Sequence, residues 1–172
     1  MAYTIEEICF EIIDILGDNL PAKLDELEIE YTSISLTLDD INRIYFGDII
    51  EAPDMQNMPA ISVVGRGYNV EPAGLGNTNR EKSRIEIECY ISSDINASLT
   101  VDDRTYSFSE ILEIKIMRYI RAIREALYDH RTLNDKCEYI MITDVILSNV
   151  IQNEGEFLRA CRLNLEVLHT RR

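Results

Sequence analysis

The chain has 172 residues, 46% of them hydrophobic, which fits one globular domain of ordinary size, and it carries a formal net charge of −14. A chain this long buries roughly 70% of the surface its unfolded form exposes, so it needs no disulfide or metal to fold. It lacks a run of about 18 apolar residues, and its start has neither a basic segment nor an apolar signal core, so neither a membrane span nor secretion is expected and assembly in the cytoplasm is.

The charge is unevenly spread. Residues 1–58 hold 14 acidic side chains against Lys23 and Arg43, a net of −12, whereas residues 59–172 are close to balanced, at −2. Phosphates would be repelled by the first third, which disfavours nucleic-acid binding there. Such a face serves solubility, or meets a basic face on a neighbouring subunit.

In chain order, Thr4 and Glu7 have capping-box spacing. Ile5, Ile8, Cys9, Ile12, Ile13 and Leu16 then recur at helical spacing, and Gly17 is a natural stop. The acidic segment 18–58 reads as irregular. Within it, Pro21 opens a short helical turn to Leu27, and Thr32 to Leu38 alternates as a strand or an extended segment does. Pro59 to Val64 reads as a short strand, and 68–81 as an exposed hairpin loop. Lys82 to Ile91 alternates strictly: Ile85, Ile87, Cys89 and Ile91 on one face, Arg84, Glu86, Glu88 and Tyr90 on the other.

A polar loop is expected at 92–105, then a long helix from about Ser107 or Ser109 to Tyr128. Its apolar stripe is Phe108, Ile111, Leu112, Ile116, Tyr119, Ile120, Ile123 and Leu127, and Arg118, Arg121 and Arg124 form a basic face. Strands follow at Tyr139–Leu147 and Leu158–Thr170, with a turn at Gln152–Glu156. The expected fold is a single α+β domain over 1–172: two layers, a mainly antiparallel four-stranded sheet with two amphipathic helices packed on one face.

The residues that carry chemistry elsewhere form no recognisable constellation here. Cys9, Cys89, Cys137 and Cys161 have no CxxC spacing, and the first, second and fourth lie on apolar phases, as small hydrophobes do. His130 follows the long helix, where its dipole favours a cation, and Asp129, His130, Asp135 and Cys137 lack metal-ligand spacing. His169 has no partner visible in sequence. No P-loop, Rossmann fingerprint or G-x-S-x-G elbow occurs. No catalytic residue, cofactor or metal is therefore expected, and the chain reads as a non-enzyme that works through its surfaces.

The short amphipathic helix, the Pro-Ala-Ile-Ser-Val-Val strand, the Arg-Ile-Glu-Ile-Glu-Cys-Tyr-Ile strand, the long helix and the closing strand pair, with Glu154-Gly-Glu-Phe-Leu-Arg-Ala-Cys-Arg-Leu-Asn-Leu-Glu-Val, together resemble phage tail terminator (tail completion or neck) proteins. The resemblance covers Thr4 to Thr170 and rests on the order and character of elements. It implies a virion protein assembled in the host cytoplasm, a ring-forming homo-oligomer, usually a hexamer. Such a ring caps the tail tube and joins it to the head-side connector, with genomic DNA passing through its lumen without specific binding. Arg118, Arg121 and Arg124 are then the subunit-interface candidates. Tyr68, Glu71, Asn77 and Arg80 are the candidates for tube or connector contact. The alternatives are another virion part, a head-tail connector or tail tube subunit, and a small ligand-binding or enzymatic domain.

Overall fold

The computed structural model describes residues 3–48, 58–72, 79–94, 96–153 and 156–171. It is α+β. Helix α1 spans Ile5–Glu30, strand β1 Arg43–Phe46, β2 Ala60–Pro72 and β3 Asn79–Asp94. A small hairpin of β4 (Leu99–Val101) and β5 (Arg104–Tyr106) leads into helix α2 (Phe108–Asp129). Strands β6 (Tyr139–Leu147), β7 (Ile151–Asn153) and β8 (Glu156–Arg171) complete the chain.

Helix α1 begins at the expected capping box: the Glu7 N–H donates to Thr4 Oγ1 at 3.2 Å, and the Thr4 N–H donates to the Glu7 carboxylate at 2.6 Å. It does not stop at Gly17. Leu20, Leu24 and Leu27 continue the spacing of Ile12 and Leu16 and are all at least 99% buried. Proline inside a helix costs about 3 kcal/mol, but three buried leucines each contribute about 1.5–3 kcal/mol. Pro21 would press on the carbonyl of Gly17, and open space surrounds Gly17, so that turn has room to adjust.

The stretch Thr32–Leu38, expected to be strand-like or extended, is a 3₁₀ turn at Thr32–Ile34 followed by extended chain that pairs with no strand. Side chains satisfy its backbone in place of a ladder. Arg118 donates to the Ile34 carbonyl at 2.6 Å, Tyr119 to the Asp39 carbonyl at 2.6 Å, and the Leu38 N–H to the Glu28 carboxylate.

The sheet has six strands among the described residues, not four: β1-β2-β3-β8-β6, with β7 also on β8. Two strands are not expected from the sequence: β1, which runs parallel to β2, and β7, which takes Gln152 and Asn153 of the expected turn as β8 takes Glu156; the pairings other than β1–β2 are antiparallel. The exposed loops shrink accordingly. Residues 68–72 and 79–81 belong to β2 and β3, and 73–78 lie outside the described residues. Within 92–105, β3 runs on to Asp94 and β4 turns into β5 at Asp102 and Asp103, whose φ of 47° and 65° give the primed turn that suits a two-residue hairpin.

One cross-strand row holds Val63, Ile87, Leu163 and Val145 in register. It joins the core that α1 and α2 cover, and the α2 stripe from Ile111 to Leu127 is the buried face expected. A bulge at Gly65–Gly67 interrupts β2. Gly67 has φ 112°, which favours glycine, and a Cβ at Gly65 would meet Ile5 Cδ1 at 3.0 Å.

Candidate interaction surfaces

The three candidate arginines do not share one face. Arg118 is 95% buried and stacks over the Tyr31 ring at 4.7 Å. Burial pushes its pKa down. Its Nη1 is buried without a hydrogen-bond partner. Arg121 forms a two-pronged contact with Glu30, 2.8 Å on each arm, and also binds Glu125 at 2.7 Å and the Tyr31 hydroxyl at 2.6 Å. The Glu30, Glu125 and Tyr31 hydrogen bonds push its pKa up. Arg124 is exposed and lies over the Tyr128 ring at 5.9 Å. The acidic first third thus meets the arginine face within one subunit, through Glu30 and Arg121.

Beside these arginines lies an open groove of about 510 Å³. Ile34, Ile114, Met117 and Ile120 give it apolar walls, and Tyr31 and Arg118 line it as well. Met117 is 53% exposed, a large apolar group on the solvent side of α2.

The described contact candidates fall at the end of the sheet where β2 and β3 run beside the last residues of β8. Tyr68 and Val70 alternate onto one face and are about half exposed, at 53% and 47%. Glu71 and Arg80 stand opposite each other in register, both exposed. Asn77 lies outside the described residues.

The sheet's outer face carries a cross-strand charge ladder. Arg66 joins Asp48 at 2.7 Å and Glu86 at 2.7 Å, Arg162 joins Glu88 at 2.6 Å, and Lys82 joins Glu166 at 2.8 Å. The closely spaced carboxylates Glu86 and Glu88 are held there as ion-pair partners. The open edge strand β6 adds apolar groups, with Tyr139, Met141 and Ile146 all more than 40% exposed.

A feature invisible to local patterning is a buried polar trio. His169 is 97% buried, and its Nε2 lies 3.2 Å from Ser83 Oγ and 3.6 Å from Glu81 Oε1. Ser83 and Glu81 both approach the same ring nitrogen, so the trio lacks the relay order of nucleophile, base and orienting acid. Its signal in the sequence was available only by aligning the two alternating strands antiparallel, which sets Glu81 opposite His169. His130 closes α2, with its N–H donating to the Leu127 carbonyl at 3.1 Å and its ring 3.3 Å from Asn134 Oδ1. Among the described residues no three His, Cys, Asp or Glu side chains converge as a metal site.

All four cysteines are free and buried. Burial pushes the Cys9 thiol up to about 11 and the Cys137 thiol up to about 12. Cys89 faces Cys161 across the β3–β8 ladder, and their mutual hydrogen bond and burial push Cys89 up as well. A thiol reagent at pH 8 is therefore expected to find no fast-reacting cysteine in the native protein and four after denaturation. A rapid burst from the native protein would contradict this burial.

No helix among the described residues is long and apolar enough to cross a membrane. No protein-family model matches the chain, and a search of the curated proteins finds no match to it.

Proposed function

We propose that this chain is a structural virion protein, a tail terminator or neck ring that caps the phage tail tube and joins it to the head-side connector. One observation carries the reading: the far end of β2, where Tyr68 and Val70 are about half exposed on one face. Exposed apolar groups on paired strands suit a surface that is covered on assembly. The order of elements, from α1 to the closing strands, adds to it through the resemblance to tail terminators. The chain's net charge of −14 suits a lumen that DNA traverses without sticking. In this reading Tyr68, Glu71 and Arg80 meet the tube or connector, and Arg124 lies at the subunit contact, while Arg118 and Arg121 shape it from within.

Solution mass across a wide concentration range tests the reading. The expected result is one closed oligomer, most simply a hexamer, whose mass stops growing with concentration. An open ladder of ever larger species would favour a tube subunit instead.

A further inference from the structure

The groove on α2 has a counterpart elsewhere on the same chain. Phe10 and Phe46 stack at 4.8 Å between ring centres, yet they remain 45% and 52% exposed. They form an apolar knob where α1 meets β1. Helical spacing sets Glu6 and Asp14 one turn to either side of Phe10. Both acids are exposed, and neither makes an ion pair among the described residues. The knob is thus an aromatic pair with acidic flanks.

The groove has the opposite character. Its apolar walls include the half-exposed Met117. Arg118 lines it while bonded to the Ile34 carbonyl and stacked on Tyr31, and the Glu113 carboxylate that also lines it is paired with Arg159; Arg124 is exposed there, and no carboxylate among the described residues pairs with it. Arg124 is thus an exposed cation at the edge of an apolar trough.

We propose that the groove receives the Phe10–Phe46 knob of a second copy, with Glu6 and Asp14 of that copy facing Arg124. This rests on the assembly reading above and names the contact that reading requires. Knob and groove are different patches, so the contact is head-to-tail. Each copy then offers one free knob and one free groove, which closes a ring where the rotation permits. The aromatic pair supplies buried area, and the charges set orientation and suppress the wrong register.

The test uses two single variants of the full chain, Phe10→Ser in the knob and Met117→Glu in the groove. Both positions are exposed, so folding should be little affected, which thermal melting checks. Arg124→Glu is a second groove variant should Met117→Glu lower the melting point. Each variant alone is expected to self-associate at least tenfold more weakly than wild type by sedimentation. An equimolar mixture of the knob and groove variants is expected to form dimers, because one intact junction remains between them. Wild-type association by either well-folded single variant, or a mixture that stays monomeric, overturns the proposed contact while leaving a ring observed for wild type standing. A wild-type chain that stays monomeric at hundreds of micromolar overturns both.

Discussion

Truncating Ile87 to alanine is expected to lower stability by about 3–5 kcal/mol, the upper range for removing a buried isoleucine. Ile87 is fully buried at the centre of the sheet, between Val63 on β2 and Leu163 on β8. Flanking strands fix the backbone on both sides, so the site cannot collapse around the missing atoms. The transfer loss and the cavity left behind therefore add. Urea unfolding should show a lower midpoint with an unchanged slope, and the melting temperature should fall by roughly 10 °C for a chain of this size. Ile146→Ala on the exposed side of β6 is the control, expected within about 0.5 kcal/mol of wild type. Equal effects at the two positions would contradict the assignment of inner and outer faces.

The second large effect is expected at Glu11. Its side chain is 10% exposed, pairs with the Lys136 ammonium, and accepts from Asn134 Nδ2 at 2.6 Å. Asn134 belongs to a run, Leu133 to Asp135, with φ of 48°, 52° and 68°. Left-handed backbone is costly for residues other than glycine. Burial of the Leu133 side chain and the Glu11 contacts hold that turn against α1. Glu11→Ala should cost about 2–3 kcal/mol at pH 7, through the lost charge-assisted bonds.

The effect should depend on pH with a definite sign. Burial pushes the Glu11 carboxyl up, but the hydrogen bonds from Lys136 and Asn134 hold it below its ordinary value. A carboxyl whose pKa is lower in the folded state stabilises the fold above its unfolded pKa, about 4.3, and the contribution is lost as pH falls through the folded value. The gap between wild type and Glu11→Ala should therefore narrow below about pH 4. A gap as wide at pH 3 as at pH 7 would contradict the ion pair. Glu7, Glu30 and Glu110 are also held low, by Thr4, Arg121 and Ser107 respectively, so wild type should lose stability over the same acidic range.

The elements read most easily from sequence are those in which a single period decides the structure. The α2 stripe and the alternation of β3 and β8 are of this kind, since each has one buried face. Sequence signals make α1 too short because Gly17 and Pro21 act locally, whereas the burial of Leu20, Leu24 and Leu27 is tertiary. Strand β1 escaped because four residues carry little periodicity, and its partner β2 lies across a long connection. The arginine triplet shows the limit of spacing arguments. Positions three apart on a helix drift by about 60° at each step. Arg118 therefore turns into the seam with Tyr31 and Ile34, Arg121 reaches Glu30, and Arg124 faces solvent. The Glu81–His169 juxtaposition depends on a register set 88 residues apart in sequence, which no local pattern encodes.

The proposed function puts the chain at one end of a tail tube. The most direct measurement is electron microscopy of tubes assembled from a phage tail-tube subunit, in the presence of this protein carrying a gold label. Label is expected at a single tube end, with tubes that stop growing once capped. Label along the tube wall, or tubes that go on lengthening with label at their end, would contradict it.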